Sequence, residues 1–465
     1  MSGKIVVVNP FNNEVIEEIA KPSLEEAKEA FRTAYDFWQQ EFKHYPAYQR
    51  ADILYKVSNK ISENVDLLAM SIACEGGKPL KDARVEVRRA INTVKMSADY
   101  CLNLNGEQIT MDRAAGTENY IAFTIKEPIG VVLAISAFNH PLNLICHQVA
   151  TAVAAGNTVV LKPAEKTPLT AKIIVDYFHE AGLPREALHY LPLTGTETQN
   201  ILDNEFIRYV SFIGNASIGW QIRRLVKPGV KVMLEHGGTA AAVLDSNANL
   251  ENAIPSIVRG AFYHSGQVCV STQILYVHQS IYDKAKQRLI EKVSKLVTGD
   301  ARLENTDCGP LITPAVVERM KLLVEDAIAK GAQILIGGNP LPNNCFEPTL
   351  IENVDNKMLV FEEEIFGPIL CINSYENIEE IIQKINKSKF AFQTAIYTKD
   401  IDLALYYARN IEQKAVVVND STAFRVDWMP FGGYKYSGYG TGGVKYAIED
   451  MTENKLIIIK NQFSK

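Results

Sequence analysis

No two cysteines in this chain form a Cys-x-x-Cys pair. The seven lie at positions 74, 101, 146, 269, 308, 345 and 371, an odd number with irregular gaps. That removes a zinc ribbon and a thioredoxin-type redox motif, and no metal site is expected. The compartment expected for such cysteines is the reducing cytoplasm. No apolar stretch approaches the roughly 20 residues of a membrane span. The short apolar run at Ile5-Val6-Val7-Val8 is too brief for a signal peptide. A basic excess is also missing. The 48 Lys and Arg are set against 54 Asp and Glu, a net charge of −6, so no nucleic-acid footprint is present. There is no Walker A motif, no internal repeat, no low-complexity tract and no long linker.

What is present is ordinary globular material in a large amount. The 465 residues suggest about three domains. Hydrophobic residues at 47% and charged residues at 22% suit a soluble protein. The first hundred residues read as helices. Ser23 with Glu26 three positions on forms a capping box, followed by Leu24, Ala27, Phe31, Ala34 and Trp38 at helical spacing. Further helical pattern covers about 47–63 and 81–102. From 129 the pattern changes to strands alternating with helices. The strands are Ile129 to Ser136, Thr158 to Lys162, Arg208 to Phe212 and Lys231 to Leu234, with a helix at about 142–155. Such alternation implies a parallel sheet covered on both faces. A second α/β series runs from about 240 to 420. The apolar tail Thr452 to Ile459 reads as a terminal strand in need of a partner.

Three chemically useful side chains sit in glycine- or proline-marked segments: Cys269 after Gly266-Gln267-Val268, Glu235 before His236-Gly237-Gly238, and Asn139 before His140-Pro141. A thiol, a carboxylate and an amide make a nucleophile, a base and an oxyanion donor. Each also has a plainer reading. A cysteine is usually a buried structural residue, Glu235 could cap a strand in solvent, and Asn139 could be a turn residue. Gly438-Tyr439-Gly440-Thr441-Gly442-Gly443 fits G-x-G-x-x-G. The dinucleotide fingerprint requires a strand before it and a βαβ unit after it, and too little chain follows, so this match is discounted.

Seven segments in order resemble the aldehyde dehydrogenase superfamily over nearly the full length. They are Phe138 to Pro141, Lys162 to Pro168, Phe212-Ile213-Gly214, Leu234 to Gly238, Gly266 to Cys269, Glu363 to Pro368 and Pro430 to Gly438. The resemblance implies an α/β fold with a Rossmann-like NAD-binding domain (1–111 and 128–235). It also implies a second α/β catalytic domain (236–443) and a β oligomerisation arm (112–127 and 444–465). A homodimer or homotetramer follows from the arm. The resemblance makes Cys269 the nucleophile, Asn139 an oxyanion donor and Glu235 the base that activates water. By the same resemblance Lys162 and Glu165 meet the adenosine ribose. Gly214 and Asn215 stand near the pyrophosphate, and Glu364 and Phe366 hold the nicotinamide ribose. The implied cofactor is NAD or NADP, with Glu165 favouring NAD because a carboxylate repels a 2′-phosphate.

Departures from the family pattern fall at Thr239 and Gln148, where lysines are common, at Asn215, and at Thr441-Gly442. The substrate is expected to be a small polar or hydroxylated aldehyde such as lactaldehyde. Val268, not arginine, precedes the nucleophile, and His147 stands where succinate-semialdehyde members often carry arginine. The segments 139–144 and 419–430 resemble the lactaldehyde and phosphonoacetaldehyde branch most. His140, His147, Val268 and Arg425 are the candidate substrate contacts. Alternatives are a succinate-semialdehyde dehydrogenase, a coenzyme-A-acylating relative, a non-catalytic binding relative, or a cysteine hydrolase using His264.

Overall fold

A computed structural model describes residues 3–461. Two large sheets organise the chain. The first has six strands in the order Gly438–Tyr439, Lys231–Glu235, Ile207–Ile213, Val131–Ile135, Thr158–Lys162 and Leu188–Tyr190. All neighbours are parallel except the edge pair Gly438↔Glu235 and Tyr439↔Leu234. Val131–Ile135 and Thr158–Lys162 are buried at every position, as a parallel strand covered by helices on both faces must be. Chain order reverses between Val131–Ile135 and Ile207–Ile213, which opens a crevice at their C-terminal ends.

The second sheet has seven strands, ordered Gln333–Ile336, Thr349–Glu352, Ile369–Tyr375, Thr272–His278, Ala240–Leu244, Gln393–Tyr397 and Ala415–Val418. Only the first pair is antiparallel. Cys269, Phe366 and Phe390 stand just before its strands at 272, 369 and 393, so this sheet offers strand beginnings where the first offers strand ends.

A three-stranded antiparallel sheet stands apart from both. Thr452–Lys460 pairs with Tyr120–Pro128 along nine residues, and Gln108–Ile109 extends it. Leu456, Ile458 and Ile459 are each at least 50% exposed, so this edge strand is apolar and uncovered on both faces.

The capping box forms as the spacing predicts. The Glu26 N–H donates to Ser23 Oγ at 3.1 Å and the Ser23 N–H to Glu26 Oε2 at 2.7 Å. The first hundred residues are not all helical, however. A hairpin of Lys4–Val8 and Val15–Ala20 precedes the first helix. Its second strand is exposed at five of six positions, so it carries no alternating hydrophobic signal. An additional helix, Val65–Gly76, lies between the two expected ones. The discounted glycine motif opens with the short edge strand Gly438–Tyr439. A Cβ on Gly438 would lie 2.3 Å from the Leu234 carbonyl oxygen, so glycine lets the chain return to the first sheet there. That return comes before the boundary expected at 443.

Candidate active site

A cleft of about 1320 Å³ lies where the strand ends of the first sheet meet the strand beginnings of the second. Cys269, Glu235 and Asn139 all line it.

The turn before Cys269 is built from unusual backbone. His264 (φ 49°), Ser265 (φ 53°) and Gly266 (φ 70°) are consecutive left-handed residues. A Cβ on Gly266 would sit 2.1 Å from the Gly367 carbonyl oxygen, so only glycine admits this approach. Ser265 Oγ donates to the Gly309 carbonyl at 2.7 Å, and Gln267 Oε1 accepts from the Ile312 N–H at 3.0 Å. These contacts over-determine a strained turn and set the place of Cys269. Asn139 Nδ2 donates to the Gln267 carbonyl at 3.0 Å, which ties the amide to the same turn. Burial raises the Cys269 thiol above its ordinary range, Glu235 adds to this, and Arg425 opposes it. The resting group is therefore a thiol that needs a proton acceptor.

Glu235 closes the strand Lys231–Glu235 and is 2% exposed. Its Oε1 has no hydrogen-bond partner and stands 3.8 Å from Arg425 Nη1. Burial raises its carboxyl above the usual range, while Arg425 and Arg89 pull the other way. A buried carboxyl with a free oxygen and a raised titration range at a strand end is a candidate for proton transfer.

Asp427 ties the wall behind them. Its Oδ1 accepts from Arg89 Nη2 at 2.7 Å and from Asn143 Nδ2 at 3.1 Å, and pairs with His147 Nε2 at 2.8 Å; its Oδ2 accepts from Arg89 Nε at 3.1 Å. Burial alone would raise this carboxyl, but His147 and Arg89 hold it well below the usual range. The His147 imidazole pairs with Asp427 in this wall and is not among the side chains that line the cleft. His140, Val268 and Arg425 do line it. Glu86 supports the same region: its Oε1 accepts the Leu142 and Asn143 N–H groups at 2.9 and 3.1 Å, and its Oε2 accepts from buried Lys78. Helix Asn143–Ala155 is thus fixed at the end next to Asn139.

The other half of the cleft carries the expected dinucleotide residues Lys162, Glu165, Gly214, Asn215, Glu364 and Phe366. Lys162 ends its strand, and its ammonium has no hydrogen-bond partner among the described residues. Glu165 Oε1 accepts the Gly195 N–H at 2.7 Å, which fixes its carboxylate beside Lys162. Gly214 leads into helix Ala216–Leu225, whose cap is Asn215; Asn215 Oδ1 accepts the Ser217 N–H at 2.9 Å. A helix N-terminus facing a cleft suits a pyrophosphate. Glu364 Oε1 is buried and unpartnered, and burial pushes that carboxyl up to about 7. Arg319 grips the backbone here, donating to the Glu364 and Ile365 carbonyls at 2.6 Å each. An unspent ammonium, a carboxyl with one free buried oxygen and a helix N-terminus at the cleft fit a dinucleotide's ribose hydroxyls and phosphates.

The departures have structural homes. Gln148 lies outside the cleft and donates to the Ile135 and Ser211 carbonyls at 3.2 and 3.0 Å, bridging two strands. Thr239 Oγ1 meets Ser388 Oγ at 3.0 Å.

A doubly wound sheet whose crevice faces a thiol, in the turn before a strand of the second sheet, suits a nicotinamide-dependent oxidoreductase. The chain belongs to the aldehyde dehydrogenase family, whose model matches residues 1–457. A 3-sulfolactaldehyde dehydrogenase of Priestia aryabhattai is 39% identical, covering 98% of this chain and 95% of the relative. A lactaldehyde dehydrogenase of Methanocaldococcus jannaschii is 39% identical over 97% of this chain and 96% of its own length. Among solved structures, aldehyde dehydrogenase 21 from Physcomitrella patens, in complex with the reaction product succinate, superposes with a TM-score of 0.97 at 34% identity. The match covers 100% of this chain and 96% of that one. A glyceraldehyde-3-phosphate dehydrogenase from Methanocaldococcus jannaschii complexed with NADP gives 0.94 at 37% identity, covering 99% of both chains. The protein is an NAD(P)-dependent oxidoreductase acting on aldehydes.

Proposed function

We propose that this enzyme oxidises a small polar or hydroxylated aldehyde to the carboxylic acid through a covalent bond to Cys269. The observation that carries the reading is the meeting of Cys269, Asn139 and Glu235 in one cleft whose other half is lined by Lys162, Glu165 and Glu364.

The Cys269 sulfur adds to the carbonyl carbon, the thiol proton passes to Glu235, and the carbonyl oxygen becomes an oxyanion. The Asn139 amide and the Cys269 backbone N–H donate to that oxygen. Hydride acceptance from the resulting thiohemiacetal is the chemistry supplied by the bound dinucleotide, and a thioester on Cys269 remains. Glu235 gives up that proton to solvent and then takes another from water as the water oxygen bonds to the acyl carbon; the C–S bond breaks and the leaving Cys269 sulfur recovers a proton from Glu235. Water attacks last and yields the acid, so the reaction is hydrolytic.

Replacing Asn139 with alanine removes one oxyanion donor. The expected loss in kcat is about 10²–10³-fold with KM little changed, read by steady-state formation of reduced dinucleotide.

NAD is the cofactor favoured by Glu165, whose carboxylate is fixed near the ribose end of the cleft. A 2′-phosphate there meets a like charge costing roughly 1 kcal/mol even in water, about fivefold in affinity. Glu165→Gln is therefore expected to narrow the ratio of kcat/KM for NAD over NADP; an unchanged ratio removes Glu165 from cofactor choice. The relatives named for lactaldehyde and sulfolactaldehyde support a small, oxygen-bearing substrate. The uncovered apolar edge strand Thr452–Lys460 supports a homodimer or homotetramer, since such an edge is a liability in a monomer. Seven unbridged cysteines suit a reducing cytoplasm. No helix among the described residues is long and apolar enough to cross a membrane.

A further inference from the structure

His236 follows Glu235 at the end of its strand, and its imidazole is buried. The ring is wedged against helix Ala216–Leu225. A Cβ on Gly219 would lie 1.9 Å from His236 Nε2, so the imidazole fills the space that a side chain at 219 would take. Phe212 and Trp220 meet it edge-on, at 5.9 and 5.8 Å between centroids. Nδ1 stands 3.1 Å from the Tyr436 carbonyl oxygen, which can only accept, so Nδ1 carries the proton. Nε2 is then a bare acceptor, buried and without a partner. Burial lowers this imidazole below its ordinary range and keeps it neutral. Trp220, on the helix, donates its indole N–H to the same Tyr436 carbonyl at 3.2 Å and stacks on the Tyr436 ring. Tyr436 is itself held: its N–H donates to the Lys389 carbonyl at 3.0 Å, and Phe390 packs edge-on against its ring. Arg223, farther along the helix, lies over both Trp220 and Tyr439.

One carbonyl thus takes a hydrogen bond from the helix and another from the residue next to Glu235. We propose that His236 and Trp220, joined at the Tyr436 carbonyl, are positioning residues that clasp the helix to the strand end of Glu235 and set the enzyme's affinity for its dinucleotide. This rests on the reading that the N-terminus of that helix receives the pyrophosphate. The helix needs such a clasp. It has 10 residues, too few to persist in water by itself, and buries only Ala216, Gly219 and Ile222. At its start the Gly214 N–H donates to the Glu235 carbonyl at 3.0 Å, and the His236 N–H donates to the Ser437 carbonyl at 3.0 Å. Helix start, strand end and the segment around Tyr436 therefore form one junction on the cleft wall, and loosening it at Gly219 moves the N–H groups of the first turn relative to Glu235. His236 does not carry protons for the reaction. One ring nitrogen is bound to a carbonyl and the other faces Gly219, so neither is open to the substrate.

The test is calorimetric titration of the full-length enzyme with NAD or NADP, whichever the wild type binds more tightly, beside steady-state kinetics. His236→Leu keeps bulk and loses the N–H, and Trp220→Phe keeps a ring and loses the N–H. Each is expected to raise the dinucleotide Kd and KM about fivefold or more, the worth of one neutral hydrogen bond, with the aldehyde KM unchanged and kcat altered less than Kd. His236→Asn, whose amide offers an N–H close to the place of Nδ1, is expected to recover most of the loss. A merely structural role would lower Tm and the fraction of active enzyme while leaving the Kd of the folded part unaltered. That result, or a Kd unaltered in both His236→Leu and Trp220→Phe, overturns the proposal. Asn215→Asp separates the clasp from the reading beneath it. A carboxylate at the helix N-terminus repels a pyrophosphate there and should weaken binding about fivefold or more. If it does so while the clasp variants bind as the wild type does, the clasp alone fails. If Asn215→Asp changes nothing, the pyrophosphate reading fails and takes the clasp with it.

Discussion

Replacing Cys269 with alanine is expected to lower turnover by roughly 10⁴-fold or more, the scale seen when a covalent nucleophile is removed. The loss follows from the proposed mechanism, in which this sulfur is bonded to substrate in every intermediate. Dinucleotide binding should persist in this variant. The ribose and phosphate contacts proposed at Lys162, Glu165, Gly214 and Glu364 belong to separate segments, each with its own backbone support. Fluorescence titration with the dinucleotide separates loss of chemistry from loss of fold. Retained turnover in Cys269→Ala would remove the covalent mechanism.

Glu235→Gln is expected to act on a different step. Its neutral amide keeps the shape and loses the base, so water attack slows by about 10²–10⁴-fold. The first turnover still forms reduced dinucleotide, because a thioester needs only the hydride step, although proton removal from the thiol is slower. A burst approaching one equivalent per site, followed by a very slow steady state, is the predicted trace. In the wild type the same carboxyl sets a pH dependence. Burial raises it above its ordinary value, and only its deprotonated form takes a proton from water. Hydrolysis of the thioester therefore falls as pH drops through that raised value and recovers above it. Glu235→Gln removes this acid limb, which a pH series of single-turnover hydrolysis rates would record.

The parts legible in the sequence were those whose chemistry and local backbone requirement coincide. Cys269 follows a glycine turn, Glu235 ends an apolar strand before two glycines, and Asn139 precedes a proline. Each pattern describes its own neighbourhood, and the cleft brings all three together. The strands Thr158–Lys162 and Val131–Ile135 were equally readable, because full burial makes a continuous apolar run. What stayed hidden depends on distant partners. Arg89 and Asp427 are 338 residues apart and look like ordinary surface charges until folding buries them against each other. His147 is a case of this: its offset from Asn139 suggests a substrate contact, and nothing local in the sequence reveals Asp427 beside it. The hairpin at 4–20 was missed because its outer strand is exposed along almost its whole length, which erases the period of two.

The most direct measurement is the intact mass of the enzyme, rapidly acid-quenched after mixing with aldehyde and oxidised dinucleotide. The Glu235→Gln variant should gain the mass of one acyl group per chain, located by peptide mapping on the segment containing Cys269. Absence of that adduct while reduced dinucleotide accumulates, or its appearance on another residue, would contradict the mechanism.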